Sequence, residues 1–296
     1  VGSRRRAGQQ PGTGDHMTAV AMTPLERLRE RVERLGPLCL GVDPNPDALP
    51  EHLTRDVHGI ETFARGLLEA AAPSAAAIKI NVAFFEAFGS AGWAALERVR
   101  ADVPPDHVLI LDAKRGDIGS TAERYAEALF GRLAADAVTV SPYLGEDAIL
   151  PFLAHPDRMV YVLARTSNPS AGTLQDLPVR TGAEELPLHH AVARWVAERW
   201  PEARVGLVVG ATAPGELRAL RRIVPEPGFL VPGIGPQGGD PATAAKACHG
   251  TRAPGLVNVT RGISGAATGS DWRTAAAGEA ERWRGLLSGS GATLSS

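Results

Sequence analysis

The sequence predicts a single (β/α)8 TIM barrel of the α/β class. Three observations carry that expectation. Eight short apolar, β-branched runs alternate with eight stretches of helical period, and the alternation occupies most of a 296-residue chain. The first run also lacks the glycine fingerprint of an open dinucleotide-binding sheet: Leu38–Asp43 leads into Pro-Asn-Pro instead of GxGxxG.

Taken in order, strands are expected at Leu38–Val42, Ala77–Asn81, Val108–Asp112, Ala137–Ser141, Met159–Ala164, Val205–Val209, Phe229–Val231 and Leu256–Val259. Between and after them the apolar residues recur at helical spacing in Glu61–Ala72, Phe84–Val103, Thr121–Ala134, Asp147–Ala154, Leu188–Trp200, Pro214–Val224, Pro241–Cys248 and Trp272–Leu287. Residues 1–16 are polar, rich in Gly, Pro and Arg and without periodicity, which reads as a disordered leader or an appended remnant. The barrel domain is then expected over residues 17–290, starting at Met17, with a flexible tail at 291–296.

Composition narrows the function. A formal net charge of −2 gives no broad basic field for nucleic acid or anionic lipid, so any anion must be gripped locally. No run is long and apolar enough for a membrane span or a secretory signal, which points to a cytoplasmic protein. The two cysteines, Cys39 and Cys248, are far apart and form no CxxC, so both are expected to be buried apolar residues. Of 31 basic residues only three are lysine, namely Lys79, Lys114 and Lys246. In a chain so biased toward arginine, lysine is expected to persist where a compact ammonium able to give up a proton is needed.

In a TIM barrel the active site lies where the strands end. The polar residues closing these strands are Asp43, Lys79 with Asn81, Asp112 with Lys114, Ser141, the run Arg165-Thr166-Ser167-Asn168, the loop Pro232 to Gly239, and Thr260-Arg261-Gly262. Two of the three lysines are among them. Asp112 and Lys114, two apart on an extended chain, are expected to face the same side, with Asp117 following in the loop. With Lys79 they suggest an array of alternating sign, Lys79, Asp112, Lys114 and Asp117. Each adjacent pair in such an array would contribute about 4 kcal/mol before desolvation is subtracted. An array of this kind suits a site that handles developing negative charge and supplies a proton.

A second signal is anion binding. The loops after the seventh and eighth strands read GIGPQGGD and TRGISG, with Arg261 available for bidentate contact, and this is where barrels commonly hold a phosphate. No metal is expected. The eight histidines, the neighbours His189 and His190 included, form neither HExxH nor an HxH strand pair and read as surface or core residues. Nor is there a nucleophile elbow or a Walker loop, so Ser141 and Ser167 read as hydrogen-bond donors.

At Asp112-Ala-Lys-Arg-Gly-Asp-Ile-Gly-Ser-Thr121 the sequence resembles the orotidine 5'-phosphate decarboxylases, whose signature Asp-x-Lys-x-x-Asp-[Ile/Val]-x-x-Thr it matches throughout. Further similarity to the longer bacterial branch, type 2, extends over about residues 36–265, in LCLGVDPNP, IKINVAFFEAFG, VTVSPYLGEDA, VLARTSNPSAG, VPGIGPQGGD and VNVTRG.

The resemblance implies a cofactor-free and metal-free conversion of orotidine 5'-phosphate to uridine 5'-phosphate and CO2 in de novo pyrimidine biosynthesis. By the same resemblance Lys114 is the proton donor beside C6 of the pyrimidine and Asp112 sits near the departing carboxylate. Lys79 holds Asp112 and helps bind the ribose. Asp117, with Thr121, reaches across a homodimer interface into the partner's site. Asp43 binds the ribose or pyrimidine region, Ser167 the pyrimidine amide edge, and Gln237 and Arg261 the phosphate. The long segment 168–187 is expected to form part of a closing lid. The rival readings are a Mg2+-dependent sugar-phosphate decarboxylase or aldol-type synthase of the same barrel group, a Schiff-base aldolase using Lys79 or Lys114, and a barrel that binds phosphate ligands without turnover.

Overall fold

The computed structural model describes residues 22–250 and 252–289, so the expectations for residues 1–16 and 291–296 lie outside the described residues. Eight parallel strands close into a barrel: β1 (Leu38–Val42), β2 (Ala77–Asn81), β3 (Val108–Arg115), β4 (Ala137–Val140), β5 (Met159–Arg165), β6 (Val205–Val209), β7 (Phe229–Val231) and β8 (Leu256–Val259). Each strand pairs with its neighbours in sequence, and β8 closes onto β1 with Leu38 opposite Val257 and Leu40 opposite Val259.

The helices are α1 (Pro24–Leu35), α2 (Val57–Ala71), α3 (Gly89–Ala101), α4 (Gly119–Ala126), α5 (Leu150–Leu153), α6 (Leu188–Arg199), α7 (Pro214–Ile223), α8 (Pro241–Ala247) and α9 (Trp272–Gly289), with shorter turns between some of them. Among the described residues no helix is long and apolar enough to cross a membrane.

The period-two rule of the strand sets up both layers of the core. Leu38, Leu40, Ile78, Ile80, Leu109, Leu111, Val138, Val140, Val160 and Val162 point outward and are buried against the helices. The alternate positions point into the barrel, where Cys39, Ala77, Ile110, Ala137, Tyr161, Val208, Leu230 and Leu256 pack as a second cluster. Toward the C-terminal ends of the strands the same inward parity turns polar, at Lys79, Asn81, Asp112, Thr139 and Asn258. Strand periodicity therefore delivers these side chains to one rim.

Helix α1 was absent from the expected elements, although its signal is local. Thr23 caps it, accepting the Glu26 N–H at 3.3 Å while the Glu26 carboxylate accepts the Thr23 N–H at 2.7 Å, and Pro24 occupies the first turn. It closes the far end of the barrel. Leu28 joins the interior cluster, and the buried Arg31 donates to the carbonyls of Ala76 at 3.1 Å and Ala75 at 2.8 Å while pairing with Asp106.

Two further differences are local. The helical period expected at Thr121–Ala134 becomes α4 followed by a π-helical stretch, Glu127–Arg132. The segment after β5 folds into a helical turn, Gly172–Gln175, and an antiparallel hairpin of Pro178–Thr181 with Glu184–Pro187.

Candidate active site

Strand β3 carries the chemistry, and its shape there departs from a plain extended chain. The pairing of β3 with β4 shifts register between Leu111 and Arg115, and Lys114 sits within that bulge at φ 45°. A side chain with a Cβ rarely adopts the left-handed region, and holding one there costs on the order of 1–3 kcal/mol. The bulge turns Lys114 onto the same rim as Asp112, where its ammonium donates to Asp112 Oδ1 at 2.6 Å.

The other oxygen of Asp112 accepts from Lys79 Nζ at 2.7 Å. Thr139, fully buried on β4, ties the arrangement together: its hydroxyl donates to Asp112 Oδ1 at 2.9 Å and accepts the backbone N–H of Lys114 at 3.0 Å. One threonine thus fixes both the carboxylate and the strained backbone of its neighbour.

These contacts decide the charges. Burial disfavours the ammonium of Lys79, but Asp112 and Asp43 outweigh it and raise its pKa above the ordinary lysine value. Burial also works against the Asp112 carboxylate, yet Lys79 and Lys114 prevail and hold its pKa well below the usual range. The array expected from the sequence is therefore present in part. Within one chain its second acid is Asp43, whose Oδ1 lies 3.8 Å from Lys79 Nζ, and not Asp117. The Asp117 carboxylate instead accepts the N–H of Ile118 at 2.8 Å, because the loop after the bulge carries it away from the rim.

The array opens into a cavity of about 600 Å3 at the C-terminal ends of the strands. Of the residues expected at the site, Asp43, Lys79, Asp112, Lys114, Ser167, Gln237 and Arg261 line it, whereas Asp117 and Thr121 do not. A second cleft of about 550 Å3 lies at the opposite end of the barrel, beside Gly36 and Pro254, and contains none of the strand-end residues.

The far side of the cavity is shaped by close backbone approach. Ser167 packs on Gly210 and Gly233: a Cβ at Gly210 would stand 3.0 Å from Ser167, and one at Gly233 would stand 3.1 Å from it. Gly233 also has φ 100°, so the loop after β7 needs glycine there on two counts. Arg261, exposed at the end of β8, forms no salt bridge among the described residues, and the next carbonyl, that of Gly262, accepts from Trp283 Nε1 at 3.1 Å. The final helix thereby fixes the loop that presents Arg261.

The segment 168–187 is tied to the end of β5 at Gln175. The Gln175 side chain accepts from the Thr166 N–H at 2.9 Å and from Arg165 at 3.1 Å, and donates to the Thr166 hydroxyl at 2.8 Å. Asn168 is its one residue lining the cavity. Cys39 and Cys248 are free and buried as expected, with burial pushing both thiols up to about 12.

Sequence reasoning missed Thr139 and Asn258. Both look like interruptions of apolar runs, but each has the inward strand parity that also marks Asp112, and that parity was the available signal. Asn258, which also lines the cavity, donates to Thr260 Oγ1 at 3.1 Å, and its buried Oδ1 has no hydrogen-bond partner among the described residues.

A parallel barrel that gathers ion pairs and glycine-built loops at this rim is a (β/α)8 enzyme. More narrowly, the chain belongs to the orotidine 5'-phosphate decarboxylase / HUMPS family, whose model matches residues 36–275, and it is a carboxy-lyase. Orotidine 5'-phosphate decarboxylase of Roseiflexus castenholzii is 48% identical over 254 residues, covering 84% of this chain and 91% of the relative. That of Bordetella avium is 46% identical over 254 residues, covering 84% and 91%.

Among solved structures, Leishmania donovani OMP decarboxylase has a TM-score of 0.73 at 38% identity, covering 90% of this chain and 99% of that one. Leishmania donovani UMP synthase has a TM-score of 0.77 at 40% identity and covers 90% of this chain, which spans only 57% of that longer protein. The Methanocaldococcus jannaschii enzyme complexed with the inhibitor BMP shares the fold, with a TM-score of 0.61 at 19% identity over 85% of this chain and 98% of that one.

Proposed function

We propose that the chain decarboxylates orotidine 5'-phosphate to uridine 5'-phosphate in pyrimidine nucleotide synthesis, without metal or cofactor, using Lys114 as the proton donor. The observation that carries this reading is the Lys79–Asp112–Lys114 array, with both Asp112 oxygens taken by ammonium groups at 2.7 and 2.6 Å at the mouth cavity. The C6–CO2 bond breaks with its electron pair left on C6 as CO2 departs. That pair lies in the plane of the ring, where no carbonyl delocalises it well. The Lys114 ammonium stabilises it electrostatically and then transfers a proton to C6, and solvent reprotonates the amine.

Asp112 stays ionised beside the departing carboxylate, and its repulsion is relieved as CO2 leaves. Lys79 holds Asp112 and reaches the ribose together with Asp43. Ser167 meets the pyrimidine amide edge. Arg261 and Gln237 bind the phosphate, and the lack of a competing salt bridge to Arg261 among the described residues supports that role. Asp117 and Thr121, outside the cavity of their own chain, complete the site of a second copy in a homodimer. The exposed Ile118, Tyr143 and Leu144 fit burial at that contact. Segment 168–187 contributes to closure over the substrate through Asn168.

The test is to follow the absorbance of orotidine 5'-phosphate after adding purified protein in EDTA. Rapid conversion to uridine 5'-phosphate is expected. No conversion, or turnover of a sugar phosphate that depends on added Mg2+, would overturn the proposal.

A further inference from the structure

Behind the loop that follows β5, three donor atoms converge from two helices. His189 and His190 lie on α6 and Glu216 in the first turn of α7, and their ligand atoms lie within 4.8 Å of one another. Glu216 Oε2 is 3.0 Å from His189 Nε2 and 3.3 Å from His190 Nε2. Ligands of a tetrahedral Zn2+ bound at 2.0–2.1 Å stand about 3.3 Å apart, so the two His–Glu separations are compatible with a shared ion, and the remaining spread of up to 4.8 Å closes by a small side-chain rotation on binding.

The other nitrogen of His189 is held by the backbone. His189 Nδ1 donates to the Gln175 carbonyl at 2.7 Å, with the Asp176 carboxylate 3.4 Å away. Nε2 faces the Glu216 carboxylate at 3.0 Å, a contact that either a ring proton or a shared cation satisfies. A ring nitrogen held by a carbonyl, with a carboxylate alongside, is the arrangement that orients metal-binding histidines. His190 Nε2 is buried and has no well-formed hydrogen bond in spite of its proximity to Glu216. Spacing along the chain hides the set, because the third donor belongs to the following helix.

We propose that His189, His190 and Glu216 form a divalent-metal site of Zn2+ type, three-coordinate from the protein, with one position open to solvent beside the half-exposed Glu216. Two neutral imidazoles and one carboxylate suit ions of borderline softness better than Mg2+ or Ca2+. The site lies apart from the decarboxylation cavity and supplies no step there. The ion clamps α6 to α7, and through Gln175 it steadies the turn that holds Arg165 and Thr166.

The test strips the full chain with a chelator, removes the chelator, and titrates Zn2+ by calorimetry and Co2+ by visible absorption. One ion per chain is expected, with a four-coordinate Co2+ spectrum. Glu216→Gln and His190→Gln should each weaken affinity at least tenfold, while His52→Gln, at an exposed histidine, leaves it unchanged. Glu216→Gln keeps the shape of a half-exposed side chain, so it remains informative if the histidine variants fail to fold. Absence of stoichiometric binding, or binding that survives both Glu216→Gln and His190→Gln, would overturn the proposal.

Discussion

At the scale of single residues, most of the site's chemistry depends on how Asp112 is held. Its two lysine partners depress its pKa, so the carboxylate contributes stability that is fully present above the unfolded-state value near 3.8 and is lost as the pH falls toward its folded value. Acid unfolding should therefore be steeper below about pH 4 in the wild type than in Asp112→Asn, and urea midpoints across that range measure it. Similar slopes would mean that Asp112 is not held as a charge.

Thr139 offers a separate test because its hydroxyl bonds both the Asp112 carboxylate and the Lys114 backbone. Thr139→Val conserves volume but removes both hydrogen bonds. It is expected to lower kcat by about 10- to 100-fold with little change in KM, and Thr139→Ser should recover most of the loss. The lysines and Asp112 were legible in the sequence because they are scarce or clustered. Thr139 was not, since a lone threonine in an apolar strand carries no sign of which neighbour it will meet.

At the scale of elements, the eight barrel strands were readable from β-branched runs, with boundaries differing at β3, β4 and β5. The extension of β3 to Arg115 depends on the bulge with β4, a tertiary pairing that strand propensity does not encode. Helix α1 had a complete local signal in Thr23, Pro24 and Glu26 but falls before the first strand, where the alternating pattern gave no reason to expect it. Thr23→Ala should cost about 1 kcal/mol through loss of the cap, read from the shift in denaturant midpoint. An unchanged midpoint would mean that packing of Leu28 and Arg31 alone holds α1.

At the scale of the whole molecule, the C-terminal rim is one assembly of strand ends, and one chain leaves it without Asp117 and Thr121. If a second copy supplies them, Lys114→Ala and Asp117→Ala chains should each be nearly inactive. After mixing and reassociation, half of the dimers are mixed and each has one intact site, which restores about a quarter of wild-type activity. No recovery, with mixed dimers demonstrated, would place Asp117 in its own chain's site. The sequence motif pointed to Asp117 as a site residue, but which chain's site it serves depends on an interface that no strand or helix pattern encodes.

The central claim is that Lys114 delivers the proton to C6, and the most direct measurement compares Lys114→Ala with Arg261→Ala in steady-state decarboxylation in EDTA. The account predicts that Lys114→Ala loses several orders of magnitude in kcat while still binding uridine 5'-phosphate, and that Arg261→Ala mainly raises KM. A Lys114→Ala enzyme that binds substrate more weakly but turns it over at the wild-type rate would contradict it.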